Sequence, residues 1–406
     1  MRFRHLALRG HRMRRNQLTH DRQQYLVPAQ GHPNALALVA PPTPRNIPDA
    51  AKYQGLFARA ANALGQLQGV IQVLPNADMV TRTLARREAV TSSQIEGTQA
   101  SLTELLAYEA TQGADGLAAD VKVTERYVAA LALGLARIRA GGRAALDLPL
   151  IHDLHARLME DAAGRFPIGA YRDTQVWIGP PGRIEDATFV PAPPEYLPAC
   201  MEELRDSMLQ YTQRDGEYGE LSVLAQLAIT HAQFETIHPY HDGNGRTGRL
   251  LMPLLLVATG HPPLYLSGSL LRARQAYYDA LAAIQLRGEW GPWIRLLTSA
   301  IVESCEEAIA IARDLLALLN EWEQRVAGYR SDSAVRKLPR LLLGYPVINV
   351  RRAMELLDIS QPAANAAINN LVKEGILEQV GIGRYDRLFR ARDVLQRLDR
   401  APGAPA

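Results

Sequence analysis

The sequence predicts a mainly α-helical protein with one small β-hairpin and a small C-terminal winged helix-turn-helix domain. Three observations predict this. Apolar residues recur at steps of three and four through most of residues 50–326, the period of a half-buried helix. The period lapses over 169–192, where two β-prone runs flank a Gly-Pro-Pro-Gly turn. After about residue 330, two short amphipathic helices are followed by two β-prone runs, the order of a winged helix-turn-helix.

Taken in order, residues 1–22 hold seven arginines and one acid, Asp21. Such a composition admits a mitochondrial transit peptide. The poverty in serine and the lack of a clear apolar face favour a disordered extension or an upstream start codon. Residues 28–49 carry Pro41, Pro42, Pro44 and Pro48 and read as an extended linker lying over a surface. Leu56, Ala60, Leu64 and Leu67 mark a helix face, as do Leu131, Leu135 and Ile138. Asp147 followed by Pro149 starts a helix containing Ile151, Leu154 and Leu158. The runs 176–178 and 187–190, separated by Gly179, Pro180, Pro181 and Gly182, form the hairpin. Helical periodicity resumes at 194–212, 219–236, 246–258, 269–286 and 292–326. A helix over 350–357, a turn at Asp358-Ile359-Ser360 and a helix over 361–374 then lead to a ribbon at 376–380 and 387–390.

The 406 residues are enough for two or three domains, and 47% hydrophobic with 21% charged residues allows a sizeable core. Cys200 and Cys305 lack ligand-like spacing, which argues against a structural disulfide and fits a reducing cytoplasm. No run of about 18 apolar residues is present; the longest, 250–258, holds Pro253 and reads as a buried helix, so no membrane partner is expected. The net charge of +3 divides into +6 over residues 1–22, +4 over 331–400 and −7 between them. Basic ends around an acidic body are compatible with weak nucleic-acid affinity.

The chemistry concentrates in residues 231–249. A helix should end near Ile237, because Pro239 disfavours helical geometry at the residue before it. Gly243-Asn244-Gly245 tolerates unusual φ and exposes backbone N–H groups. A second helix starts near Arg246, and its free N–H groups and dipole face the loop. That arrangement binds anions, phosphates above all. Arg246 and Arg249 share a helix face near the same anion. Asp242 offers a hard oxygen ligand for Mg²⁺. His238 stands at the mouth, where an imidazole can take a proton from an attacking hydroxyl. His231, Glu235 and His238 also have the spacing of a one-face metal site. The helix breaks at His238, however, and a loop-supporting hydrogen bond between His231 and Glu235 suits them better.

At these residues the sequence resembles the Fic family, whose signature reads His-Pro-Phe-x-(Asp/Glu)-Gly-Asn-Gly-Arg-x-x-Arg. It is complete over 238–249 except that Tyr240 replaces Phe, which keeps the aromatic bulk. The resemblance extends over roughly residues 50–330, through Phe234-Glu235, 187–191 and Tyr277-Tyr278. It implies a Fic helical fold with a β-hairpin flap. It divides the chain into a basic extension and Pro-rich linker at 1–49, a Fic N-terminal region with an inhibitory helix at 50–115, a catalytic core at 116–330 and a winged helix-turn-helix at 331–400.

The resemblance also implies a protein adenylyltransferase moving AMP from Mg-ATP to a Ser, Thr or Tyr hydroxyl of a target protein or of itself. His238 would be the general base and Asp242 would hold Mg²⁺ between the α- and β-phosphates. Backbone N–H groups of Gly243, Asn244 and Gly245, with the Asn244 side chain, would cradle the phosphates. Arg246 would meet the β-phosphate and Arg249 the γ-phosphate, with Thr247 and Gly248 counted in the same binding stretch. Thr188, Phe189 and Val190 of the flap would contact ligand, and the flap would pair with the target by β-augmentation. Tyr277 would line the adenine pocket, with Gln285 nearby. Ser92, Glu96 and Gly97 match the family's inhibitory pattern (Ser/Thr)-x-x-x-Glu-(Gly/Asn). Glu96 would pair with Arg249 and take the γ-phosphate's partner.

The predicted second helix of the C-terminal domain has one cation, Lys373. Asn365, Asn369 and Asn370 could read adenine edges, and Arg384 and Arg387 could meet DNA phosphates. Its alanines, at 363, 364, 366 and 367, favour target docking or homodimer packing instead. Transfer of another nucleotide or phosphate-bearing group, or a non-catalytic nucleotide-sensing DNA-binding regulator, are the competing readings.

Overall fold

The computed structural model describes residues 13–74, 77–113, 119–215, 220–380 and 387–399. In chain order the elements are α1 (His20–Gln23), β1 (Leu26–Ala29), β2 (His32–Leu38), α2 (Gln54–Val73), α3 (Ala77–Ile95), α4 (Leu102–Thr111), α5 (Ala119–Gly141), α6 (Leu148–Leu158), α7 (Leu197–Leu204), α8 (Val223–Ile237), α9 (Asn244–Ala258), α10 (Ser267–Arg272), α11 (Arg274–Arg287), α12 (Gly291–Arg325), α13 (Ala334–Leu342), β3 (Val347–Ile348), α14 (Val350–Leu357), α15 (Gln361–Lys373), β4 (Glu378–Val380), β5 (Leu388–Arg390) and α16 (Arg392–Asp399). The fold is mainly α. No helix among the described residues is long and apolar enough to cross a membrane. The chain divides into two compact units, and their limits do not follow the boundaries expected at 115/116 and 330/331.

The first unit takes the chain up to Gly65, then Thr91–Thr98 and Arg126–Ser304. Its centre is α8, buried from Leu224 to Ile237. Its sequence is apolar on nearly every face, which sends a helix inside. Helix α9 crosses it at Gly248, where a Cβ would lie 2.7 Å from Glu235 Oε1 and 3.1 Å from Phe234 Cδ1. Helix α6 begins at Asp147, whose side chain accepts the Leu150 N–H at 2.8 Å. The expected helix over 269–286 is broken at Ala273 into α10 and α11, and that over 194–212 ends in a π-turn, Arg205–Leu209.

Three expectations for this unit need correction. Residues 26–38 are not linker but the antiparallel pair β1–β2, whose Ala35 and Ala37 pack with Ile184, Ala187 and Val190. Only the stretch after it is extended, held by Gln233 Nε2–H on the Pro41 carbonyl and by Glu203 on the Thr43 N–H. The flap is not a two-stranded hairpin. Its arms meet at a single antiparallel bridge, Ile178↔Phe189, because a Gly-Pro-rich turn and a 3₁₀ turn at Ile184–Asp186 leave no room for a ladder. Finally, residues 13–22 are ordered rather than an extension: Leu18 is buried against Leu38, Phe189 and Leu286, and the Thr19 N–H donates to the Leu286 carbonyl. Residues 1–12 lie outside the described set.

The second unit takes Gln66–Val90, Gln99–Glu125 and the chain from Cys305 onward. Helix α4 opens with a capping box between Ser101 and Glu104. Arg82 and Arg86 of α3 both bind Glu109 of α4, and Thr83 Oγ1–H donates to the Leu343 carbonyl at 2.7 Å. Helix α14 is capped by Asn349 at its start and ends at Asp358 in a left-handed conformation. The strands form a three-stranded sheet in the order β3-β5-β4. Helix, turn, helix and ribbon thus run in the predicted order, with β3 as an added strand. Asn365 is engaged with the Gln361 carbonyl at 3.1 Å and Arg387 at 3.5 Å. Arg384 lies outside the described residues.

Candidate active site

Helix α8 stops at His238, which takes φ 52° and ψ 61°. Its N–H still donates to the Phe234 carbonyl at 2.9 Å, so the turn closes while the side chain leaves the helix axis. Gly243, at φ 79°, then turns the chain into α9. The first α9 turn presents the N–H groups of Asn244, Gly245 and Arg246, ahead of the first helical bond from Thr247 N–H to the Gly243 carbonyl, as an anion site requires.

Asn244 does not cradle an anion with its side chain as expected. Its Oδ1 accepts the Tyr240 N–H at 2.9 Å and its Nδ2–H donates to the Tyr240 carbonyl at 2.8 Å. The amide staples the loop, and only the backbone remains for phosphate. Thr247 and Gly248 also depart from expectation. Thr247 is fully buried, Gly248 packs against Glu235 and Phe234 of α8, and neither lines the cavity. Val190 packs beneath the flap with Ala29, Ala35 and Ala37 rather than lining the cavity.

Most of the remaining site residues border one cavity of about 410 Å³, while Arg246, Ser92 and Gly97 stand behind its lining. His238, Asp242 and Gly243 to Gly245 line one side, Ile178, Thr188 and Phe189 the flap side, and Tyr277 and Gln285 the inner wall. Arg249 stands at the inner end, 1% exposed. Its Nη2–H donates to Glu96 Oε1 at 2.7 Å and to the Ser92 carbonyl at 3.0 Å, and its Nε–H to Ser92 Oγ at 2.9 Å. The Glu96 carboxylate rests on the α9 N-terminus: a Cβ on Gly245 would collide with Glu96 Oε1 and lie 2.9 Å from Arg249 Nη1. Gly97, at φ 99°, ends α3 just beyond. Burial works to lower the Arg249 pKa, but Glu96 and the two tyrosines overcome it and hold the guanidinium firmly charged.

Arg246 has a different setting. Its Nη2 contacts the Met159 sulfur at 3.3 Å and lies 3.8 Å from Asp242 Oδ1, while its buried Nε has no hydrogen-bond partner. A buried guanidinium with an unmet donor is suited to an arriving anion. Glu235 is buried at the cavity wall, and burial with the nearby Glu96 charge pushes its pKa up to about 7 against the pull of Arg249. His231 does not bond to Glu235 as expected; its Nε2 pairs with Tyr277 Oη at 2.7 Å. Burial lowers the His231 pKa to about 3, so the ring is neutral. No metal-ligating cluster of three or more side chains occurs among the described residues.

Two supporting groups escaped the sequence reading. His155 of α6 accepts the Gly169 N–H on Nδ1 at 2.9 Å, so its Nε2 carries the proton and donates to the Asp242 carbonyl at 2.9 Å. It stacks on Tyr240 at 3.7 Å, and the Tyr240 hydroxyl meets His152 Nδ1 at 3.1 Å. The tyrosine that replaces phenylalanine thus finds a polar partner. Arg172 is the second: its Nε–H donates to the His238 carbonyl at 3.0 Å. Both lie far from the loop in sequence, and no spacing near 238–249 points to them.

Comparison with known proteins agrees with this architecture. The Fic/DOC family N-terminal model matches residues 55–136 and the Fic/DOC family model residues 145–256. The chain is 32% identical over 183 residues to protein adenylyltransferase fic-1 of Caenorhabditis elegans, covering 45% of this chain and 32% of that protein. It is 31% identical over 160 residues to protein adenylyltransferase Fic of Nematostella vectensis, covering 39% and 33%. These matches span about a third of the length of the curated relatives. In fold, the chain resembles the crystal structure of a Fic family protein from Desulfovibrio desulfuricans, with a TM-score of 0.52, 18% identity, and 86% and 98% of the two chains covered. With the complete signature loop inside the matched region, the part of this chain from residue 55 to 256 belongs to the Fic/DOC family.

Proposed function

We propose that this protein transfers AMP from Mg-ATP to a Ser, Thr or Tyr hydroxyl of a target protein or of itself, and that Glu96 on Arg249 restrains the reaction. One observation carries the reading. His238, Asp242 and the glycine turn open on a single cavity, and a carboxylate sits on the helix N-terminus where an anion would bind. The cavity volume suits a nucleotide, and the unmet Arg246 Nε supplies a donor for its phosphates.

Mg²⁺ held at Asp242 would neutralise phosphate charge. The chain's own residues supply the remaining chemistry. His238 takes the proton of the target hydroxyl. The oxygen then bonds to the α-phosphorus as the bond to the bridging oxygen breaks, and pyrophosphate leaves. Arg246, and Arg249 once released by Glu96, hold the departing phosphates. The flap aligns the target's extended segment. Positioning and charge neutralisation account for the acceleration, with no covalent intermediate on the protein.

Incubation of the Glu96→Gly variant with lysate and labelled ATP, UTP, GTP or CDP-choline tests this. Labelling of protein from ATP should rise about tenfold or more over wild type, the worth of one charged hydrogen bond. Preference for another donor would reassign the transferred group. Nucleotide binding with no labelling from any donor would make the site a sensor.

A further inference from the structure

Arg172 is 1% exposed and joins three separate stretches of backbone. Its Nε–H donates to the His238 carbonyl at 3.0 Å, its Nη1–H to the Thr174 carbonyl at 3.2 Å, and its Nη2–H to the Ala192 carbonyl. Its own backbone N–H donates to the Pro239 carbonyl at 3.0 Å. Thr174 and Ala192 are the two roots of the flap, which spans 176–190. Gln175 Nε2–H adds a bond across them to the Pro191 carbonyl at 2.8 Å.

Among the described residues these side-chain bonds go to carbonyls, not to a carboxylate. Burial lowers the Arg172 pKa to about 10, with Glu195 opposing, and the group stays charged at neutral pH. Enclosing a cation without an ion-pair partner is costly, and an apolar side chain would fill the space without that cost. The carbonyls it gathers belong to the left-handed His238 and to both flap roots. Such a backbone conformation persists only where its surroundings hold it.

We infer that Arg172 is a positioning residue of the transfer reaction, bracing the His238 backbone and both roots of the flap so that the base and the docked hydroxyl keep one register. The inference rests on the adenylyl-transfer reading. A planar fork can reach three carbonyls at once, whereas a lysine ammonium cannot hold the same directions. Loss of the brace should therefore leave the phosphate site in place and misalign the chemistry. A displacement of about 1 Å is enough to cost roughly a hundredfold in rate.

The test uses Arg172→Lys and Arg172→Ala in the full chain carrying Glu96→Gly. Calorimetry should give an ATP–Mg²⁺ Kd within about threefold of the parent, since no phosphate contact is touched. The kcat for AMP transfer should fall by roughly ten- to a hundredfold, and added guanidinium ion should partly restore the Ala variant. Unchanged kcat, or Kd and thermal midpoint deteriorating together with kcat in both variants, overturns the inference. Amide exchange gives a readout that needs no activity: residues 174–192 and 237–241 should exchange faster together while the middle of α8 does not. Unaltered exchange in either stretch also overturns it. A parent that transfers nothing from any donor refutes the proposed function, and exchange alone then decides the brace.

Discussion

His238 holds a left-handed backbone, a conformation that costs a bulky residue of order 1–2 kcal/mol. The turn directs its imidazole into the cavity. His238→Ala in the Glu96→Gly background should lose about 10²–10⁴ in transfer rate while calorimetry shows ATP–Mg²⁺ binding nearly intact. Transfer at the parent's rate would remove the base from the mechanism. The residues of 238–249 were legible because their chemistry is packed into one turn. Those misplaced in the expectation, Thr247 and Gly248, lie between two arginines on a helix, and neighbours in a helix point about 100° apart. Arg249 lines the cavity, and Gly248 beside it faces Glu235 and Phe234 of α8. Glu96 could be connected to Arg249 only through the family likeness, because 153 positions separate them.

Among the elements, α6 shows how a local signal supports the site from a distance. Asp147→Ala removes the cap on the Leu150 N–H and should destabilise α6 by about 1 kcal/mol. Exchange of its first-turn amides should quicken roughly fivefold, by the usual conversion of that energy. Unchanged protection would mean that another group replaces the cap. Because α6 also carries His155, which binds the Asp242 carbonyl, the loss should loosen the Asp242 end of the loop as well. Helix starts of this kind are readable because Asp and Pro act within three residues. The β1–β2 pair was not readable: Pro41, Pro42, Pro44 and Pro48 gave the whole stretch 28–49 the look of a linker, yet β1 and β2 even contain Pro28 and Pro33, because in a two-stranded ribbon each strand has an unpaired edge where proline is tolerated. What makes it a ribbon is the apolar side of β2 meeting the base of the flap.

At the scale of the whole molecule, buried titratable groups set a pH dependence. His155 and His231 have folded pKa values of about 4 and about 3, lowered by burial from 6.5. Their contribution to stability is complete above pH 6.5 and is lost on acidification, because the unfolded chain takes up those protons first. Glu235, raised to about 7 by burial, acts in the opposite sense: its contribution is complete below pH 4.5 and is lost as pH rises through 7. Between pH 6.5 and 4.5 the unfolded chain gains two protons at the histidines and the folded chain one at Glu235. Stability should fall on acidification with a limiting slope of about 1.4 kcal/mol per pH unit. Thermal midpoints measured from pH 7 to 5 should decline; a flat or rising series would contradict the burial of these groups.

The sequence alone determined the helical period, the glycine turn between α8 and α9 and the order of the C-terminal elements, because each depends on residues within about a dozen positions of one another. Tertiary structure decided which groups surround that turn. His155 reaches Asp242 across 87 positions and Arg172 reaches His238 across 66. The flap was reduced to one bridge on the β1–β2 ribbon, and α8 was placed where Glu235 is buried. Such contacts arise when separate helices bury their faces together, and no local spacing encodes which buried donor will meet which carbonyl.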